Sequence, residues 1–195
     1  MRLGIRLASA LVGLAALAVP AAAQTELIAL DKVHQLLASN QSRLAARELN
    51  AVSVEFRNEI GRCRDEKIGA KLMELEPKVD ALRNRLVAGT VGVKELEREF
   101  VVIDRLLAEN HQQLAAGGWD LRRFGRLEGV ARELSLAARY VQRAAKWSGA
   151  PLSAEAEQAV TDALAVSAKL AASPANPPGE TGAVIEALGK VVKAP

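Results

Sequence analysis

Apolar residues recur every three or four positions along most of the chain, and this spacing limits the fold more than any other feature. The clearest stripe runs over 93–116, where Asn110 fills one position. Its apolar members are Val93, Leu96, Phe100, Ile103, Leu107 and Leu114. Such spacing is typical of α-helices, and no segment shows the sustained alternation of a β-strand. The sequence therefore predicts an all-α protein, an antiparallel bundle of four or five helices with coiled-coil-like hairpins.

Turn-forming and capping residues predict where these helices begin and end. We expect helices over about 25–63, 66–88, 93–116, 120–148 and 154–172. The polar segment 39–42 contains neither Pro nor Gly, so the first helix is expected to continue through it. Pro77 should kink or restart the second helix, because it removes a backbone donor. Gly117 and Gly118 should end the third helix, and Asp120 should cap the fourth.

Residues 1–23 have the three parts of a cleavable secretory signal peptide. Arg2 and Arg6 supply a positive start, an uncharged apolar run follows over 7–19, and small residues occupy 21–23. Export signals have this layout. The apolar run is shorter than the roughly 20 residues that span a bilayer. We therefore expect an exported, periplasmic, soluble protein that keeps no transmembrane anchor after cleavage.

The rest of the chain is predicted to contain a bundle, a linker and a short tail. The bundle covers 24–172, and the Pro-rich segment 173–180 has the composition of a semi-extended linker. The tail, 181–195, is amphipathic, with Ile185 and Leu188 on its apolar side. A helix of about a dozen residues is marginal alone. The tail should therefore either dock on the bundle or wait for a partner.

Net charge and cysteine content narrow the classes of function. The formal net charge is +3, and the predicted signal peptide holds two arginines and no acid, so the mature chain is nearly neutral. Binding to nucleic acid therefore has little support. The single cysteine, Cys63, cannot form an internal disulfide. We expect a buried, inert thiol, with an intermolecular disulfide or a reactive thiol as the alternatives.

Motifs for a metal, a cofactor or catalysis are missing from the sequence. His34 and His111 each flank the apolar stripe of their helix and would approach each other if those helices packed antiparallel. They are weak metal candidates, because no HxxxH, HExxH or CxxC pair supplies two ligands from one segment. The sequence also lacks a CxxCH haem attachment site and a G-x-S-x-G nucleophile turn. We expect no cofactor and no enzymatic activity.

A basic strip on the fourth predicted helix is the best candidate for a partner-binding surface. The strip consists of Arg132, Arg139, Arg143 and Lys146, and Trp119 and Trp147 lie near the two ends of the helix. Helical rotation places the strip opposite Leu134 and Val141, so it should face water. One interpretation is a merely solvated face. The other is a docking strip for an acidic protein or an anionic envelope polymer, anchored by the tryptophans.

These features predict a non-enzymatic envelope protein that acts through protein–protein contacts as an adaptor, assembly factor or scaffold. Homo-oligomerisation is compatible with the same features. The alternative is a periplasmic carrier or sensor that holds a small ligand or a metal between its helices. The two hypotheses make different structural predictions. A cavity lined by His34, His111 or Tyr140 favours the carrier, and a filled core with an exposed apolar groove favours the adaptor.

Overall fold

The computed structural model describes residues 21–122 and 127–193, with side-chain positions from Leu30 onward. These residues form seven α-helices and no strand, which confirms the all-α prediction. The helices are α1 (Ala21–Ala38), α2 (Ser42–Arg62), α3 (Glu66–Val87), α4 (Val93–Asp120), α5 (Leu127–Ser148), α6 (Ala154–Ala172) and α7 (Thr181–Lys193). None of these helices is both long enough and apolar enough to cross a membrane. Most of the predicted signal peptide, residues 1–20, lies outside the described residues.

Helices α4 and α5 pack against each other at the centre, and the remaining helices surround them. Helix α1 packs on α2, α4 and α5, α3 packs on α2 and α4, and α6 packs on α5. The largest fully buried side chains include Phe56, Leu96, Phe100, Leu134, Leu136 and Leu188. Asp104 of α4 lies against Arg143 of α5. Further along α4, His111 lies against Glu133, so these two helices run in opposite directions.

The prediction that the first helix continues through 39–42 is wrong, because Asn40 adopts a left-handed conformation with φ of 59°. The Gln41 N–H donates to the Leu36 carbonyl at 2.8 Å, and the Asn40 N–H donates to the Leu37 carbonyl at 2.9 Å. This pair of hydrogen bonds is the Schellman pattern that ends many helices. Asparagine tolerates the left-handed region better than most residues, so the chain turns here without a glycine.

The third predicted helix does not end at the two glycines. Helix α4 continues through Gly117 and Gly118 to Asp120, which is therefore its last residue and not the cap of the next helix. A Cβ atom at Gly118 would lie 2.9 Å from Cγ2 of Val130. The missing side chain allows α4 and α5 to approach closely. Packing between helices thus outweighs the helix-breaking tendency of glycine, about 1 kcal/mol per residue.

Other predicted boundaries agree with the structure. Helix α3 begins at Glu66 as expected. It continues through Pro77 to Val87, so of the two outcomes expected at Pro77, a kink or a restart, the restart does not occur. The Ser153 hydroxyl accepts a hydrogen bond from the Ala156 N–H at 3.2 Å, which makes it the cap of α6.

Cys63 is half-buried, so the expectation of a buried thiol is wrong, and its Sγ donates to the Asp65 carbonyl at 3.2 Å.

The tail docks on the bundle, which was one of its two predicted arrangements. Helix α7 packs against α4 and α6. Ile185 and Leu188 are buried in this contact. The Gln112 Nε2 of α4 donates to the Ile185 carbonyl at 3.1 Å. Tertiary packing therefore stabilises a helix that is too short to be stable alone.

Candidate functional site

The basic strip does not face water along its whole length. The Arg143 side chain is only 6% exposed, and its Nε and Nη2 each donate to a different oxygen of Asp104 at 2.8 Å. The Trp147 Nε1 donates to Asp104 Oδ2 at 3.0 Å. The prediction is therefore wrong for Arg143 and Trp147. Arg132 and Lys146 are exposed and Arg139 is half-buried.

Arg143 and Trp147 are buried because a carboxylate on another helix pairs with them. Asp104 is fully buried, and its burial raises the pKa of its carboxyl, while Arg143 and Trp147 act in the opposite direction. A two-pronged guanidinium–carboxylate contact can compensate both buried charges. The angular positions of residues around α5 do not show that a neighbouring helix supplies this partner.

The rest of the strip and the two tryptophans also have contacts within the chain. Lys146 Nζ lies 2.6 Å from Asp31 Oδ1 of α1. The Trp147 ring packs against His34, with 5.0 Å between the ring centroids. Trp119 is half-buried near α7, where a Cβ atom on Gly182 would lie 2.9 Å from its Nε1.

A second polar group, which we call the bridging cluster, joins α2 to α4 and α5. Its members are Glu59, Arg62, Asn110, His111 and Glu133. Asn110 Nδ2 donates to Glu59 Oε2 at 3.0 Å, and Arg62 Nη1 donates to Glu59 Oε1 at 2.7 Å. Arg62 Nη2 also donates to Glu133, and His111 Nδ1 lies 2.5 Å from the other Glu133 oxygen.

Electrostatics within the bridging cluster favour a charged Glu133. Burial acts to raise the pKa of the Glu133 carboxyl, but the hydrogen bond from His111 and the positive charge of Arg62 outweigh it. The pKa of Glu133 therefore lies below its ordinary value. Hydrogen bonding to the charged form explains this direction.

The two histidines do not meet. His34 Nε2 lies 3.0 Å from Glu97 Oε1, and His111 is fourteen residues further along α4, a distance of roughly 20 Å. The His111 ring stacks on Tyr140 at 5.3 Å between centroids. In the described part of the chain, no group of three or more His, Cys, Asp or Glu side chains is placed to hold a metal ion.

A cavity of about 280 Å³ opens between α1, α2, α4 and α5 beside the bridging cluster. Its apolar lining residues are Leu30, Val52, Phe56, Ile103 and Leu107. Its polar lining residues are Glu55, Asn58, Glu59, Arg62, Arg132, Tyr140 and Arg143. The volume is close to the lower end of the range for small-molecule sites, roughly 300–1,000 Å³.

Side-chain lengths explain why this space exists. Helix α2 packs closely on α1 and α3, and it reaches α4 and α5 through the long side chains of the bridging cluster. Glu59 and Arg62 therefore lie at a polar end of the cavity. Val52 lies further down α2, about 15 Å from Arg62 along the helix axis. The cavity is thus polar at the end near Glu59 and Arg62, and its other end is apolar except for Arg143, which pairs with Asp104.

Comparison with known proteins adds no second source of information about this cavity. No protein-family model matches the chain, and no curated protein or solved structure is significantly similar to it. Of the predicted partner-binding residues, Arg132 and Arg143 line the cavity.

Sequence reasoning missed most of the acidic residues of this region, although a signal for them was present. Glu59, Asp104 and Glu133 all occupy positions on the apolar sides of their helices. Glu133, for example, follows Val130 by three residues and precedes Ala137 by four. An acidic residue in an apolar stripe indicates a buried partner, because an unpaired buried charge is costly.

Proposed function

We propose that the protein is a non-enzymatic carrier or sensor that is exported to the periplasm and binds a small molecule in the cavity between α1, α2, α4 and α5. The observation that carries the proposal is the cavity itself, which combines an apolar lining with several charged side chains. Small-molecule sites commonly combine an apolar lining with a few placed polar groups. Tyr140 lines the cavity, as the carrier hypothesis requires.

The bridging cluster supports this proposal because its Arg62 side chain lies at the proposed entrance to the cavity. Helix α2 is joined to α5 at the cavity rim by Arg62, whose side chain is about one third exposed. Arg62 is the most exposed member of the bridging cluster, whereas its partner Glu133 is only 10% exposed. Movement of Arg62 would widen the polar end without disturbing the apolar core. In the proposed arrangement the bundle is antiparallel, with coiled-coil-like hairpins, and the segment after α6 serves as a linker to the docked tail.

The adaptor hypothesis has weaker support. It rested on a basic strip facing water and on a tail available to a partner. Arg143 and Trp147 are buried, and α7 packs on α4 and α6. Arg132 and Lys146 are the exposed residues of the strip that a partner could contact. We therefore rank ligand binding above protein–protein contact.

Val52→Phe tests the proposed function, because the larger ring would extend into the cavity and occupy part of its space. The matched control is Val102→Phe, since Val102 is exposed on α4. We expect ligand-observed NMR of a mixed small-molecule library to detect compounds that bind the unchanged protein and the control but not Val52→Phe. The same hits should show NOEs to the ring of Tyr140, the only tyrosine in the chain.

The NOE measurement uses the unchanged protein, so it remains informative if Val52→Phe fails to fold. Hits without NOEs to Tyr140, or a library without any hit, would contradict the proposed function.

A further inference from the structure

We infer that the ligand of this cavity is an uncharged molecule, with an apolar body and one neutral hydrogen-bonding group such as a primary amide. The inference rests on the proposed function and names the ligand class of the same cavity. Three observations support it: the charged side chains of the lining are already engaged within the chain, a neutral side-chain amide lies beside them, and the buried lining beyond them is apolar.

The cavity lining carries two acidic and three basic side chains, and further carboxylates pair with the bases from outside the lining. The five side chains are Glu55, Glu59, Arg62, Arg132 and Arg143. Asp104 accepts from Nε and Nη2 of Arg143 at 2.8 Å each. Glu133 accepts from Nη2 of Arg62. The excess of basic residues in the lining is therefore compensated within the protein.

The remaining charged groups of the lining also have contacts within the chain. Arg62 Nη1 donates to Glu59 at 2.7 Å, and Glu55 and Arg132 each interact with another residue of the chain. A charged group on a ligand would therefore enter this partly buried space without a partner, or it would take a side chain from its present partner. Both are costly. An uncharged ligand leaves these interactions in place.

Asn58 is a polar lining residue that remains available to a ligand. It is exposed on α2, and its side-chain amide has no hydrogen-bond partner among the residues that the structure describes. Asn58 precedes Arg62 by four residues, so both lie on the same side of α2, at the polar end of the cavity. A side-chain amide offers both a donor and an acceptor. It can therefore bind an uncharged amide of the ligand through both groups.

The apolar part of the cavity accounts for the body of the ligand. Val52 and Phe56 line it from α2, and Ile103 and Leu107 line it from α4. Each of these four side chains is less than a tenth exposed. An apolar body that enters this space gains the free energy of transfer from water. An apolar cavity of roughly 150 Å³ holds benzene. The cavity of about 280 Å³ therefore has room for a body larger than one ring.

Three ligands that share one apolar body test the inference at neutral pH. They are 3-cyclohexylpropanamide, which is uncharged, 3-cyclohexylpropanoate, which is an anion, and 3-cyclohexylpropylamine, which is a cation. We expect NMR titration of the unchanged protein to show binding of the amide and at least tenfold weaker binding of the other two, since each brings a charge that finds no partner. An affinity for the anion or the cation within tenfold of that for the amide would overturn the inference.

Asn58→Leu tests the placement of the neutral group, because leucine has a similar size and cannot form hydrogen bonds. We expect this variant to bind the amide about fivefold more weakly, through the loss of hydrogen bonds between uncharged groups. The matched control is Asn50→Leu, at an exposed position of α2 outside the cavity lining. It should bind the amide like the unchanged protein. Unchanged affinity in Asn58→Leu, or an equal loss in the control, would overturn the assignment of Asn58.

Failure of this inference can be told apart from failure of the proposed function. If the NMR library yields hits with NOEs to Tyr140 but 3-cyclohexylpropanamide shows no binding, the cavity is a ligand site and the uncharged class is wrong. If neither this amide nor any library compound shows contact with Tyr140, both proposals fall together.

Discussion

Three acidic residues show how this protein places charge in its interior. Glu59, Asp104 and Glu133 are each less than a tenth exposed, and each accepts hydrogen bonds from a basic or amide side chain. Burying a carboxylate without such partners would cost several kcal/mol. The charges are therefore retained only where a neighbouring helix supplies donors. At this scale, the identity of one residue on α4 decides whether a basic residue on α5 is exposed or buried.

Asp104→Ala should strongly destabilise the fold. The change leaves the buried guanidinium of Arg143 without its two-pronged partner, and the loss of one member of such a pair costs about 3–5 kcal/mol. Asp120→Ala, at an exposed position of the same helix, should change stability by about 0.5 kcal/mol or less. Urea unfolding followed by circular dichroism measures both.

The double variant Asp104→Leu with Arg143→Met separates lost pairing from lost packing. It should recover much of the stability, because apolar residues of similar size often replace a buried ion pair well. A double variant as unstable as Asp104→Ala would contradict the assignment of the cost to an unpaired arginine.

Helix ends in this chain depend on what each helix packs against. Asn40 ends α1 without a glycine, whereas α4 continues through two glycines. The difference lies in packing, since Gly118 lies against Val130 of α5. Among the residues that the structure describes, no atom of another segment lies within 4 Å of a Cβ position at Gly117. Local propensity, worth at most about 1 kcal/mol per residue, is too small to decide such cases.

The two glycines of α4 give a matched pair of substitutions. Gly117→Ala should raise the free energy of unfolding by up to about 1 kcal/mol, since alanine favours helix and has room there. Gly118→Ala should be less stable than Gly117→Ala by about 1–3 kcal/mol, because the added methyl group meets Val130 at 2.9 Å. Thermal unfolding compares them, and equal stability would show that α4 and α5 do not approach closely at this point.

The bridging cluster acts on the scale of the whole molecule, because it connects α2 to α4 and α5. Glu133 contacts both Arg62 of α2 and His111 of α4. The stability of this connection should therefore depend on pH. Since the pKa of Glu133 is lower in the folded protein than the ordinary 4.5, its contribution is present in full above the unfolded value and is lost as the pH falls through the folded value.

Glu133→Gln tests this pH dependence. At pH 7 the variant should be less stable than the unchanged protein by about 2 kcal/mol, because hydrogen bonds to a charged group are replaced by neutral ones. The difference should shrink as the pH falls below the ordinary carboxyl value, because the pKa of Glu133 in the folded protein lies below that value. Urea unfolding at several pH values measures it. A difference that stays constant over this range would show that the charge of Glu133 does not stabilise the fold.

The sequence by itself determined the all-α class and most of the helix positions. The spacing of apolar residues and the cap at Ser153 are local properties, and they act within one or two helical turns. Such signals need no knowledge of the neighbouring helices. The same locality explains why the buried position of Asn110 could be predicted from the stripe of its own helix.

Only the tertiary structure decided which charges are buried and where a cavity remains. The helical rotation along α5 alone predicts that Arg143 faces water. The residue is buried because the register between α4 and α5 brings Asp104 opposite to it. No local pattern reports that register. The cavity likewise exists because long side chains of α2, α4 and α5 meet across a gap. Both features depend on distances between helices, and the spacing of residues within one helix does not contain them.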